Sequence, residues 1–171
     1  MSNKSGVILR IGILAARDLA AADRDGFSDP YVVVRVGNQK YQTQVISKNL
    51  NPVWNRVFDA KLGPEKIPQH IVVTVWDDDR IGRDFLGEVT IPLKQVFVRN
   101  NGGLKDGLPR SYDDPLNQPA AYPLQKRTSK SEVKGDIVLK FGLEDNDGGP
   151  QRNVEEWSQF WEQFTLQIEL R

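Results

Sequence analysis

The stretch AAADRDGFSDPYVVV, residues 20–34, sets Asp23, Asp25 and Asp29 in one short glycine-containing turn that ends at Pro30 and runs straight into an apolar strand. Like charges so close resist one another unless something compensates them. The run that leaves the turn, YVVVRVG at 31–37, is rich in β-branched residues and lies between a proline and a glycine, which reads as a strand. Outward from it the same signal recurs. In GVILRIGILAA, beginning at Gly6, Val7, Leu9, Ile11 and Ile13 fall on one face of a period-two pattern. Similar runs are KYQTQVI at 40–46, VWNRVFDAKL at 53–62, HIVVTVWD at 70–77, FLGEVTIPL at 85–93 and GDIVLKFGL at 135–143. Asn, Gly, Pro and Asp clusters separate them, and no long helical period interrupts the first 100 residues. The expected fold is all-β, an eight-stranded antiparallel β-sandwich rather than a parallel βαβ sheet.

The chain has 171 residues, enough for one domain with an appendage, divided here into a sandwich over 1–146 and an aromatic C-terminal segment over 147–171. Residues 100–120 are rich in Gly, Pro, Asn and Asp and read as a long surface loop. YPLQK, from Tyr122, suits a short edge strand, and RTSKSEVK, from Arg127, a solvated connection. The C-terminal segment carries two signals: Trp157, Phe160, Trp161 and Phe164 recur at helical spacing, whereas Phe164, Leu166, Ile168 and Leu170 alternate. Seven strands leave two four-stranded sheets one short, so this segment is expected to hand over to a last strand. The competing reading is a single helix over 154–171 docked on the sandwich or on a partner.

Lys plus Arg and Asp plus Glu both number 23, so no global field draws the chain to nucleic acid or to an anionic membrane. Any electrostatic function is local. The absence of cysteine excludes disulfides, thiolate metal sites and a cysteine nucleophile. The N-terminal MSNKSG lacks a secretory signal and no apolar run approaches the ~20 residues that span a bilayer. A soluble, cytoplasmic domain is expected.

A second acidic stretch, WDDDRIGRDFLG, adds Asp77, Asp78, Asp79 and Asp84 after another strand. If both strands end at one edge of the sandwich, the loops gather up to seven carboxylates. Unit charges 4 Å apart repel by about 4 kcal/mol at an effective dielectric near 20, so such a cluster has to be hydrated, protonated or holding a cation. Calcium suits carboxylates from mobile loops because it takes six to eight oxygens at flexible distances, whereas magnesium demands tight octahedral geometry. At a strand end Asp77 and Asp79 point one way and Asp78 the other, which makes the first and third the ligands. DRDG opens like an EF-hand loop, but the twelfth position from Asp23 is Val34 and no helices flank it.

LAAADRDGFSDPYVVV, TQVISKNLNPVWN and VWDDDRIGRDFLGEVTIPL, in that order, resemble the successive hallmarks of C2 domains, the calcium- and phospholipid-binding β-sandwich family, over about residues 7 to 143. The resemblance implies that Asp23, Asp29, Asp77, Asp79 and Asp84 hold two or three calcium ions. It further implies attachment to anionic phospholipid, phosphatidylserine above all, because bound calcium turns an anionic rim cationic. Phe27 and Ile81 would then insert between headgroups and Arg24, Arg80 and Arg83 would meet phosphates, with Asn51 close by. Arg35, Lys40 and Lys48 would form a basic patch on the neighbouring strands.

No nucleophile elbow, phosphate-binding glycine loop or zinc spacing occurs, and the lone histidine, His70, begins an apolar strand. An enzyme is therefore not expected. The alternative is a calcium-independent adaptor that uses the aromatic face of residues 154–171 to hold a protein partner.

Overall fold

Eight strands form two four-stranded antiparallel sheets in the computed structural model, which describes residues 6–63, 67–100 and 106–169. They are β1 (Val7–Arg17), β2 (Pro30–Val36), β3 (Gln39–Gln42), β4 (Val53–Leu62), β5 (His70–Asp79), β6 (Gly82–Pro92), β7 (Ala120–Pro123) and β8 (Asp136–Asp145). One sheet runs β4-β1-β8-β7, the other β3-β2-β5-β6. Each of the seven alternating runs between residues 6 and 143 contributes a strand, and the inward faces pack against each other. Leu9, Ile11 and Ile13 of β1 face Val32, Val34, Val73 and Val75 of the second sheet across one fully buried core. A bulge at Leu14 shifts the register with both neighbours, so Ala16 rather than Ala15 continues the buried face.

The last strand does not come from the C-terminal segment. β7 completes its sheet from residues 120–123, overlapping the expected edge strand YPLQK only at Tyr122 and Pro123. Residues Val154–Glu169 form helix α2 instead. Asn153 and Glu156 make a capping box, the Glu156 amide donating to Asn153 Oδ1 at 2.9 Å and the Asn153 amide to Glu156 Oε1 at 3.1 Å. The helical period wins because it buries Trp157, Trp161 and Phe164 in the main core, while Leu166, the centre of the rival alternation, is 50% exposed. Leu170 lies outside the described residues. Trp161 meets Phe97 of the short helix α1 (Val96–Asn100) edge-on, with centroids 5.0 Å apart. Trp157 Nε1 donates to Ser111 Oγ at 2.8 Å.

The loop expected at the surface over 100–120 is built in where it is described. Arg110, Ser111 and Asn117 are buried, the Leu143 amide donates to Arg110 O, and Asn117 Nδ2 donates to Phe141 O at 2.8 Å. Polar composition suggests solvent, but Asn117 and the Arg110 carbonyl find partners on the backbone of β8, and the Arg110 guanidinium pairs with Asp106 and Asp114. Gly142 is required there, since a Cβ would overlap the backbone of Tyr112.

The strand directions fix two poles. β1 ends and β2 begins at one of them, where β5 turns into β6; helices α1 and α2 follow strand ends at the other.

Candidate metal centre

The loop from β1 to β2 is shaped by its own polar groups. Buried Ser28 donates from Oγ to Ala20 O at 2.8 Å and accepts from the Ala22 amide at 2.9 Å, closing the neck. Beyond it, the Asp23 amide donates to Phe27 O, the Gly26 amide to Asp23 O, and Asp25 Oδ1 accepts from the Phe27 amide. Gly26 takes a φ of 86°, the left-handed turn that glycine adopts without a Cβ clash. Pro30 then pairs with Asp77, and the Asp78 amide donates to Asp29 O at 2.9 Å, so the two acidic stretches meet at adjacent strand ends.

Three carboxylates converge. Asp23, Asp29 and Asp77 each bring an oxygen within 4.8 Å of the others. The Asp29 amide donates to Asp77 Oδ1 at 2.6 Å, and the Lys48 amide to Asp29 Oδ1 at 2.6 Å. Asp77 is 0% exposed, and its second oxygen, Oδ2, is buried with no hydrogen-bond partner. Burial pushes its carboxyl up to about 6; the Asp29 amide pulls the other way, and the negative charges of Asp23 and Asp29 add to the rise. A buried, unpartnered carboxylate oxygen beside two more carboxylates fits a hard divalent cation.

Asp79 and Asp84 stand next in line. Asp77 lies opposite Asp84 and Asp79 opposite Gly82 in the β5–β6 ladder, which puts all three carboxylates on one face of the hairpin. Both lie outside the close triad and are exposed.

A profile of the C2 domain family matches residues 7–108. The chain belongs to the C2 domain family. It is 38% identical over 137 residues to mouse multiple C2 and transmembrane domain-containing protein 2, covering 80% of this chain and 13% of that protein. Against human multiple C2 and transmembrane domain-containing protein 1 it is 43% identical over 136 residues, 79% of this chain and 12% of the relative. The chain thus spans about an eighth of these relatives. Among solved structures, a calcium-bound pair of C2 domains from extended synaptotagmin 2 superposes with a TM-score of 0.57 at 31% identity, covering 81% of this chain and 45% of that one. A C2 domain of a plant extended synaptotagmin 1 gives a TM-score of 0.61 at 21% identity, covering 81% and 94%, and shares the fold. C2 domains are binding modules that target membranes, generally through calcium and lipid. No helix among the described residues is long and apolar enough to cross a bilayer.

The remaining residues singled out in this C2 domain fall into distinct places. Arg80 and Ile81 form the β5–β6 turn, and Ile81 is 96% exposed. Arg24 and Phe27 lie exposed on the first loop, Phe27 at 43%. Asn51 Oδ1 accepts from the Asp18 amide at 2.9 Å and so ties the β3–β4 loop to the end of β1. Arg83 lies on the outer face of its sheet, its guanidinium 3.7 Å from the centroid of the Trp76 ring. The basic patch divides. Arg35 and Lys40 pair side by side on the β2–β3 hairpin, whereas Lys48 sits at the acidic pole with Nζ 3.8 Å from Asp25 Oδ2.

Sequence reasoning passes over one cluster, the packing of Tyr31, Val33, Trp76 and Phe85 on the outer face of the second sheet. The signal is present, since YVVVRVG is apolar at both parities and cannot bury one face alone. The aromatic face suggested for a protein partner is otherwise engaged: Trp157, Trp161 and Phe164 lie in the core and Phe160 stacks on Phe164 at 5.5 Å. His70 is exposed at the start of β5.

Proposed function

We propose that this chain is a calcium-dependent membrane-targeting module acting at the cytoplasmic surface of a membrane. Asp23, Asp29 and Asp77 hold the first ion, with Asp79 and Asp84 extending the site to two or three. The observation that carries this reading is the buried Asp77 Oδ2, which lacks a partner amid two further carboxylates. Bound calcium supplies positive charge at the rim, where anionic headgroups such as phosphatidylserine complete the oxygen shell. Ile81, almost wholly exposed on its turn, enters the headgroup layer, and Phe27 flanks it. Full burial of such a side chain contributes about 1.5–3 kcal/mol. Arg24 and Arg80 are the exposed cations beside them.

The test is co-sedimentation with vesicles of phosphatidylcholine and phosphatidylserine. Sedimentation in micromolar calcium that is lost in chelator and lost in Asp77→Asn supports the proposal. Equal sedimentation in chelator overturns it.

A further inference from the structure

The β7–β8 loop spans residues 124–135; RTSKSEVK within it reads in sequence as a solvated connection, and its position gives it more to do. The Leu124 amide donates to Gly135 O at 3.0 Å, closing its neck, and Gly135 lies against the carbonyls of Arg17 and Asp18 at the end of β1. That is the pole from which the first acidic loop departs. Gln125 and Glu88 exchange two backbone hydrogen bonds, 3.1 and 2.8 Å, which lay the loop along β6. Arg127 then fixes it in place: its Nη2 is 2.7 Å from Glu88 Oε2 and its guanidinium is 4.7 Å from the Phe85 ring and 5.1 Å from that of Trp76, the residue before Asp77.

Past this anchor the chain turns tightly, the Ser131 amide donating to Thr128 O at 3.1 Å and the Lys130 amide to Thr128 Oγ1 at 3.2 Å. Lys126, Lys130 and Lys134 are exposed, and none makes an ion pair among the described residues. Glu132 is the one acid between Lys126 and Lys134. A protein of zero formal net charge has therefore placed three unpaired cations on a held loop beside its acidic loops without letting them neutralise the aspartates. Such an arrangement suits a surface that is anionic and extended enough to meet both features at once, which is a lipid headgroup layer.

We propose that the β7–β8 loop is a second membrane contact, in which Lys126, Lys130 and Lys134 bind anionic phospholipid headgroups without calcium, beside the calcium-dependent loops. This rests on the membrane-docking reading above. It gives the two contacts different dependences: the aspartate loops respond to calcium, and the lysine loop to salt and to lipid charge.

The test compares the whole chain with its K126Q/K130Q/K134Q variant on vesicles of phosphatidylcholine with and without phosphatidylserine. A lysine near an anionic surface contributes about fivefold in affinity, so the triple variant should bind at least about tenfold more weakly at saturating calcium. Its salt dependence should be shallower, and its calcium titration without vesicles unchanged. Equal vesicle affinity for both proteins overturns the proposal and leaves an acidic protein surface as the partner of these lysines. If the parent chain fails to bind with calcium, the docking reading falls. Measurement in chelator at low salt then decides the loop: lysine-dependent binding to phosphatidylserine vesicles supports it, and identical behaviour overturns it.

Discussion

Replacing Asp77 by Asn should make the calcium-free domain more stable while removing its response to calcium. The carboxylate is fully buried, keeps one oxygen without a partner and faces Asp23 and Asp29. Its pKa is pushed up from 3.8 to about 6, burial first. Because the folded-state value lies above the unfolded one, the protonated carboxyl favours folding: this contribution is full below pH ~4 and is lost as pH rises through about 6. At pH 7 the ionised group therefore costs about 1–3 kcal/mol, at 1.36 kcal/mol per pKa unit and allowing for relaxation of its neighbours. Asn keeps the acceptor for the Asp29 amide and turns the orphaned oxygen into a donor facing two carboxylates. Thermal unfolding in chelator should show the variant raised by about 3–10 °C at pH 7, with the gap closing toward pH 4. Added calcium should stabilise the parent chain and leave the variant unmoved. A variant less stable than the parent in chelator at pH 7 would refute the argument, because it would mean that Asp77 is satisfied without a cation.

Two further outcomes follow from the packing and the exposed turn. Trp157→Ala removes a fully buried indole and its hydrogen bond to Ser111, so denaturant unfolding should show a loss of about 3–5 kcal/mol, whereas Leu166→Ala on the same helix should change stability by less than about 0.5 kcal/mol. Ile81→Asp should leave unfolding unchanged, since that side chain is 96% exposed, and weaken calcium-dependent vesicle binding about tenfold or more in a sedimentation assay.

The sandwich was legible because alternation is a local signal: Leu9, Ile11 and Ile13 declare a buried face whatever lies across from them. Asp77 and Asp79 on one face and Asp78 on the other followed from the pleat alone. The order of the segments is not local, and the expectation of an eighth strand fell on the wrong segment. Tyr122 announces an edge strand with one short apolar run, while Phe164 belongs to two periodicities at once; only the docking of Trp157 and Trp161 against the core chooses the helix. Arg110, Ser111 and Asn117 look like surface residues in sequence and become interior ones because distant or local partners satisfy them: the β8 backbone for Asn117 and the Arg110 carbonyl, Asp106 and Asp114 for the Arg110 guanidinium, and Trp157 for the Ser111 hydroxyl. The same holds for the triad. Composition shows acidic stretches, but that Asp23, Asp29 and Asp77 meet while Asp79 and Asp84 stand one step outside depends on the pairing of Pro30 with Asp77.

The most direct measurement is a calorimetric titration of the chain with calcium in the absence of lipid, run alongside Asp77→Asn. Saturable heat from the parent chain and none from the variant is the expected result. A flat trace from the parent chain at millimolar calcium would contradict the assignment of these aspartates as a cation site.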